Sequence, residues 1–327
     1  MKEINKSVEF LVDKVDKGKC VVFCGAGISR SSGILTVEPL LNQLLYYLSA
    51  DEEDIKNYLY RKNRFHLPMP FEAIIQSLKN NVRFTNSDTS FIEVFARIFE
   101  GKPNINHYLL ANLLREKKIH CIVTTNFDTC LEQALGWPEG DERIIIPYKE
   151  ELEYLKDLDM SGRIIKIHGC KTMPDLLGTT VSQITRPFFL QKTNQMLSKL
   201  FCSNAFDTAL FLGYSCSDKW DISEFFQSSE IKSVSTFSYI YWQHTGQDAK
   251  KQVEPNVEEM LGKYHPIFMF GDTSELIQAL WANYGYGQLP ESTFQNANFS
   301  LREYSIEDPK LVLSQLFQDS NRHHIAK

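Results

Sequence analysis

Short apolar runs alternate with helix-period segments along most of this chain. Residues 4–18 carry Val8, Leu11, Val12 and Val15 at helical spacing, and Gly18 is placed to end that helix. Val21-Val22-Phe23-Cys24 reads as a buried strand that runs straight into Gly25-Ala26-Gly27, with Ile28 to Ser32 opening a short helical turn. Pro39 suits the first turn of a helix whose apolar face is Leu40, Leu41, Leu44, Leu45 and Leu48. From residue 104 the alternation is regular. Asn104 or Asn106 caps a helix to about Lys117, and a strand over 119–123 ends in Thr124-Thr125-Asn126-Phe127-Asp128. A helix follows over about 128–135, then strands over 143–147 and 164–167, the second ending at His168-Gly169. Residues 181–206 read as mostly helical, and a strand over 208–212 ends at Gly213-Tyr214-Ser215-Cys216-Ser217-Asp218. A helix over 221–227, strands over 237–242 and 267–270, and a helix over 274–283 with Asp272 as its cap complete the pattern.

Alternation of this kind predicts an α/β fold, a doubly wound, Rossmann-like parallel sheet. Residues 51–103 break it. They are polar, carry Pro68, Pro70 and Pro103, show helical patterning over about 72–80 and 90–100, and read as a helical insertion or subdomain. The main domain then spans 1–288, and 289–327 form a tail with one helix that opens at Asp308-Pro309.

Composition narrows the class. The chain has 327 residues, 43% of them hydrophobic, enough for a sizeable core. A formal net charge of −6 argues against a surface that coats nucleic acid. The seven cysteines are scattered with no C-x-x-C pair, so a zinc module and a metal site are not expected, and the thiols read as reduced, cytoplasmic ones. No run approaches the roughly 20 apolar residues of a membrane helix, and residues 1–5 form no apolar signal core.

In doubly wound sheets ligands sit at the carboxyl ends of the strands. The polar clusters fall there: Gly25-Ala26-Gly27, Thr125-Asn126-Phe127-Asp128, His168-Gly169 and Gly213-Tyr214-Ser215. The first offers a glycine turn whose N–H groups can approach a phosphate, although the next glycine is Gly33, so the strict dinucleotide fingerprint is not met. Asn126 offers an amide donor and acceptor at the strand end; Asp128 either contacts ligand or caps the following helix. His168 can serve as a general base near neutral pH or be a satisfied structural residue. Gly213 and Ser215 either contact a second phosphate or form an ordinary turn capped by Ser217 or Asp218. His107, on a helix among leucines, reads as structural.

The succession G-A-G-I-S, T-T-N-F-D, K-I-H-G and G-Y-S-x-S-D resembles the sirtuin fold family, and more closely the sirtuin-like domains of bacterial antiphage defence than the protein deacetylases. The resemblance covers roughly residues 4–285 and is dense only at those motifs. It implies that Gly25, Ala26, Gly27, Ile28 and Ser29 wrap the NAD pyrophosphate, that Asn126 and Asp128 line the nicotinamide and ribose pocket, that His168 is catalytic with Asn126, and that Gly213 and Ser215 contact a phosphate. It further implies an NAD glycohydrolase that uses NAD as substrate without a metal and serves as the NAD-depleting effector of an abortive-infection system. The expected partners are further copies of the chain and a separate sensor: an ATPase, an argonaute-type protein or a phage component. The chain departs from the deacetylases in lacking their arm after the first motif, where it has Ile34-Leu35-Thr36-Val37, and in lacking four zinc cysteines after His168. An NAD-dependent protein deacylase and a non-catalytic NAD or ADP-ribose sensor are the alternatives.

Overall fold

The structure is a computed structural model that describes residues 2–37, 39–40, 71–81, 96–202, 206–228, 237–245 and 252–289. Its strands are β1 (Cys20–Cys24), β2 (Cys121–Thr124), β3 (Ile144–Ile145), β4 (Arg163–Lys166), β5 (Thr208–Leu212), β6 (Ser238–His244) and β7 (Ile267–Gly271). They form one sheet in the order β3-β4-β2-β1-β5-β6-β7, with every neighbouring pair parallel. The order reverses at β1, whose neighbours are β2 on one side and β5 on the other, so the switch point of the sheet lies there.

Both faces are covered, which is why the central strands read as unbroken apolar runs rather than alternating ones. Val21, Phe23, Val123, Ile165, Ala209 and Phe211 face one core, packed by Met196, Leu197, Leu200 and Phe201 of the helix Pro187–Phe201 and by Ile222, Phe225, Val257 and Met260. Cys20, Val22, Cys24, Ile122, Ile164 and Leu210 face the other, packed by Val8, Leu11 and Val15 of the helix Lys2–Val15, by Leu109, Leu110 and Leu113 of the helix Ile105–Arg115, and by Leu276 and Leu280 of the helix Thr273–Asn283.

The predicted elements are found with shifted ends. The turn after β1 is a 3₁₀ helix, Ala26–Ser32. β2 starts at Cys121 rather than 119, because the Ile119 N–H still returns to Leu113 O at the end of the preceding helix. The expected strand over 143–147 shortens to the two residues of β3, and the helical stretch 181–206 divides at Thr185–Arg186 ahead of Pro187, which cannot continue a helix hydrogen-bond ladder. Two helices were not expected, Leu152–Asp157 and Pro255–Leu261. The first has a single buried apolar residue, Leu155, so its periodicity is too short to read. Of the insertion, the helix Phe71–Asn81 and the short turn Arg97–Phe99 are described; the expected helix from Leu40 onward, most of 90–100 and the tail helix after Asp308 lie outside the described residues. All seven cysteines are described, and none of them forms a disulfide.

The β1 and β5 turns meet along a backbone seam. Gly25 N–H donates to Leu212 O at 3.1 Å and Gly27 N–H to Gly213 O at 2.8 Å. A Cβ on Gly27 would stand 2.7 Å from Gly213 Cα, and one on Gly213 would stand 2.6 Å from Ile28 N. Gly213 also has φ +59°, in the left-handed region. Glycine is therefore required here by close packing between two turns. Gly213→Ala is expected to cost at least about 2 kcal/mol, from left-handed strain plus overpacking. Gly140→Ala, where φ is +77° and nothing lies within 4 Å of the added carbon, should cost the strain alone. Urea unfolding of the two variants against the wild type measures the difference.

Candidate active site

The four polar clusters of the sequence arrive at one level of the sheet. Cys24 is in register with Thr124 and with Leu212, and Thr124 is in register with Lys166. Ala26, Asn126 and His168 therefore stand two residues past a common line, and Gly213 one residue past it. Gly27, Gly213 and Ser215 are exposed there and Ala26 is half-buried, while Ile28, Ser29, Asn126, Asp128 and His168 are buried behind them. The N–H groups of Gly25 and Gly27, expected to face a phosphate, are committed to β5 by the seam. Ser215 Oγ lies 2.8 Å from Ser217 Oγ, and the next residue, Cys216, holds φ +53°, a conformation rare outside glycine.

The buried half of the site is organised around the Ser29 hydroxyl. Asn104 caps the helix Ile105–Arg115, and its backbone N–H donates to His107 Nδ1 at 3.0 Å. Nδ1 is therefore the unprotonated ring nitrogen, and Nε2 carries the proton and donates to Ser29 Oγ at 3.0 Å. Burial, which outweighs the nearby Asp128 carboxylate, holds the His107 imidazole neutral by lowering its pKa to about 4. Ser29 Oγ–H donates to Asp128 Oδ2 at 2.9 Å, and Asn126 Nδ2 donates to Ser29 Oγ at 3.1 Å. The hydroxyl thus gives its one proton and fills both lone pairs. This fixes the orientation of the Asn126 amide: its nitrogen is spent on Ser29, and its Oδ1 is buried without a partner. The carbonyl of Ile28 is held by Asn104 Nδ2 at 2.8 Å and Asn106 Nδ2 at 2.9 Å.

Asp128 uses both oxygens inside the protein. Oδ1 accepts from Cys130 N–H at 2.9 Å, the capping alternative, and Oδ2 holds Ser29. Burial alone would raise its carboxyl; His107, Lys166, the Cys130 N–H and the Ser29 hydroxyl hold it below its ordinary value. His107, Asp128 and Cys130 bring three metal-ligand atom types within 4.8 Å of one another. Both nitrogens of His107 and both oxygens of Asp128 are already hydrogen-bonded, so the grouping is a hydrogen-bond network.

Lys166, the last residue of β4, is buried and was not singled out by sequence reasoning. Its ammonium donates to Glu132 Oε1 at 2.8 Å and to the carbonyl of Asp128. Burial alone would push the ammonium toward neutrality, and Glu132 holds it charged. The pair ties β4 to the helix Cys130–Leu135 and so to the Asn126–Asp128 turn. A charged residue directly after the apolar pair Ile164-Ile165, within the run read as strand, was the available signal.

His168 follows Lys166 by two residues. Its Nε2–H donates to Asp221 Oδ2 at 2.9 Å, and Asp218 Oδ1 stands 3.9 Å from Nδ1. The Phe127 ring lies 6.5 Å away, stacked on it. Burial would lower the imidazole pKa, but Asp221, Asp218 and Glu72 together raise it to about 9. Glu72 belongs to the insertion helix Phe71–Asn81; its carboxyl is raised to about 7, by burial first and by Asp218 next. The surrounding carboxylates thus favour the protonated ring at neutral pH, in which both ring nitrogens are hydrogen-bond donors.

A cavity of about 270 Å³ lies beside the helix Cys130–Leu135, walled by Glu132, Trp137, Ile144, Ile146, Cys170 and Met173; none of the expected site residues lines it. No helix among the described residues is long and apolar enough to cross a membrane. Cys170 packs with Ile146 and Tyr148, whereas Cys202 ends the helix Pro187–Phe201, so the two cysteines between His168 and β5 belong to different parts of the fold.

Fold and site together define an α/β protein with a polar edge at the switch point of a parallel sheet. Residues 120–263 match the family model of the SIR2-like domain, a span that contains Asn126, Asp128, His168, Gly213 and Ser215. No curated protein matches the chain. Among solved structures, one described as a basis for the mechanism and regulation of Sir2 enzymes is 16% identical over 85% of this chain and 97% of that one, with a TM-score of 0.45. A Sir2 homologue–NAD complex is 15% identical over 85% and 94%, with a TM-score of 0.43. A Sir2 bound to acetylated peptide is 13% identical over 86% and 99%, with a TM-score of 0.41.

The acid shell around His168 has a consequence for stability. Its folded pKa lies above the ordinary value of 6.5, so its stabilising contribution is complete below about pH 6.5 and is lost as pH rises through about 9. Urea midpoints of wild type and His168→Gln should differ more at pH 6 than at pH 9.5. An equal difference at both would show that the ring carries no extra proton.

Proposed function

We propose that the protein is an NAD glycohydrolase that releases nicotinamide and ADP-ribose. The observation that carries this reading is the buried, unpartnered Asn126 Oδ1, held in one orientation at the end of β2. A buried acceptor without a donor costs roughly 1–3 kcal/mol. A ligand amide or an ordered water would satisfy it, and these are the groups that an NAD-cleaving site must hold. The SIR2-like match over 120–263 and the order of the four motifs support NAD as the substrate.

The bond to be broken joins a ribose to a cationic nicotinamide, which leaves as a neutral group. Positive charge then develops on the sugar. The attacking water, oriented by Asn126 Oδ1, bonds to the anomeric carbon as the bond to nicotinamide breaks and releases its proton to solvent, while the His168 imidazolium donates to a ribose hydroxyl. Asp218 and Asp221 stand beside the ring, and negative charge on them favours a positive transition state, although burial raises the Asp218 carboxyl above its ordinary value. Gly27, Gly213 and Ser215 form the exposed edge at which the phosphates would lie, with Ala26 beside them. The absence of paired cysteines after His168 removes the sequence basis for a deacylase zinc module.

A hydrolase of this kind harms its host when always active. In this reading it is controlled by assembly, with copies of itself or with a separate sensor protein, as the NAD-depleting effector of an antiphage system. Nicotinamide release from NAD by the assembled protein is the test. Asn126→Ala and His168→Ala should each lower turnover by about 100-fold or more while retaining the far-UV circular dichroism of the wild type. Unchanged turnover in both variants contradicts the assignment. Turnover of acylated peptide to an acylated ADP-ribose would replace it with a deacylase.

A further inference from the structure

Asp221 is placed like the orienting carboxylate of a catalytic pair. It is 2% exposed, and both of its oxygens are assigned. Oδ1 accepts the Ile222 N–H at 2.7 Å at the start of the helix Ile222–Gln227, which locks the carboxylate to the backbone. Oδ2 accepts from His168 Nε2 at 2.9 Å. A carboxylate held by a helix start and holding an imidazole in turn fixes both the ring rotamer and the nitrogen that is left over. That remaining nitrogen is Nδ1, which makes no hydrogen bond to Asp218 at 3.9 Å.

We propose that Asp221 is a positioning residue for His168, selecting Nδ1 as the nitrogen presented to substrate and keeping the ring a donor. The proposal rests on the reading of His168 as catalytic in NAD cleavage, but its first test does not. The groups that face the ring are Asp221 and Asp218 from the segment after β5, Glu72 from the insertion helix, and the uncharged Phe127 ring from the β2 turn. Asp221 differs from the other two carboxylates in making the direct hydrogen bond, so it should dominate both the ring's orientation and its proton affinity.

Asp221→Asn separates this role from a structural one. Asparagine is as good a helix cap as aspartate, so the start of the helix is retained while the charge beside the ring is removed. The experiment is an NMR titration of His168 in the full-length protein, wild type against Asp221→Asn and Asp218→Asn, paired with kcat and KM for NAD across pH. The ring is expected to titrate at least one pH unit lower in Asp221→Asn, with a smaller change in Asp218→Asn. Its kcat should fall by about 10- to 100-fold with KM within about threefold, and the pH limb of kcat should follow the ring. If the ring titrates identically in wild type and Asp221→Asn, or if that variant keeps wild-type kcat and pH profile while His168→Ala is inactive, the proposal is overturned. If the ring shifts as expected but the wild-type protein does not cleave NAD, the pairing of Asp221 with His168 holds and the NAD reading fails. Should Asp221→Asn not fold, Asp221→Glu provides the second variant: it keeps the charge but displaces the carboxylate. It should preserve a high ring pKa while lowering kcat, and loss of neither would equally overturn the proposal.

Discussion

One hydroxyl holds the site together. Ser29 Oγ accepts from Asn126 and from His107 and donates to Asp128, so the turn after β1, the turn after β2 and the helix between those strands meet at a single oxygen. None of the three contacts is solvent-exposed, and each constrains the proton positions of the others. Because Ser29 has only one proton and gives it to Asp128, Asn126 must present its nitrogen to Ser29 and turn its oxygen away. The chemistry assigned to Asn126 is a consequence of that saturation.

Two electrostatic regimes lie side by side at the sheet edge. The hub on the β1–β2 side pairs a neutral histidine with an ionised Asp128, whose charge is balanced by donors. The cluster on the β4–β5 side holds a charged histidine amid Asp221, Asp218 and Glu72. The buried Lys166–Glu132 pair joins the first, with Lys166 reaching the Asp128 carbonyl, and Lys166 lies two residues before His168 in the chain. The same residue type is kept neutral in one place and cationic in the other. The difference is set by whether burial or carboxylates dominate. This division suits a reaction that needs one oriented, uncharged acceptor and one negative field.

Much of this arrangement is legible in the sequence. Each central strand is an apolar run cut off sharply by a polar or glycine-bearing cluster, and the parallel register of Cys24, Thr124, Lys166 and Leu212 turns those four endings into one edge. The reason for the glycines was less legible: Gly27 and Gly213 are required by each other's backbone, a contact between residues far apart in the chain. His107 reads as structural, and it is buried; its reach to Ser29 depends on the Asn104 cap, whose N-x-x-H spacing was the visible clue. Asp218 and Asp221 read as helix-start residues, which Asp221 is. Their grip on His168, and the arrival of Glu72 from the insertion, depend on tertiary placement that no local pattern encodes.

The protonation state of His107 tests the hub most directly. A ¹⁵N NMR titration of its imidazole should find the proton on Nε2, with the ring neutral from pH 8 down to about 4. A proton on Nδ1, or a ring that titrates near 6.5, would mean that Ser29 is not saturated as described and that the Asn126 amide is not fixed.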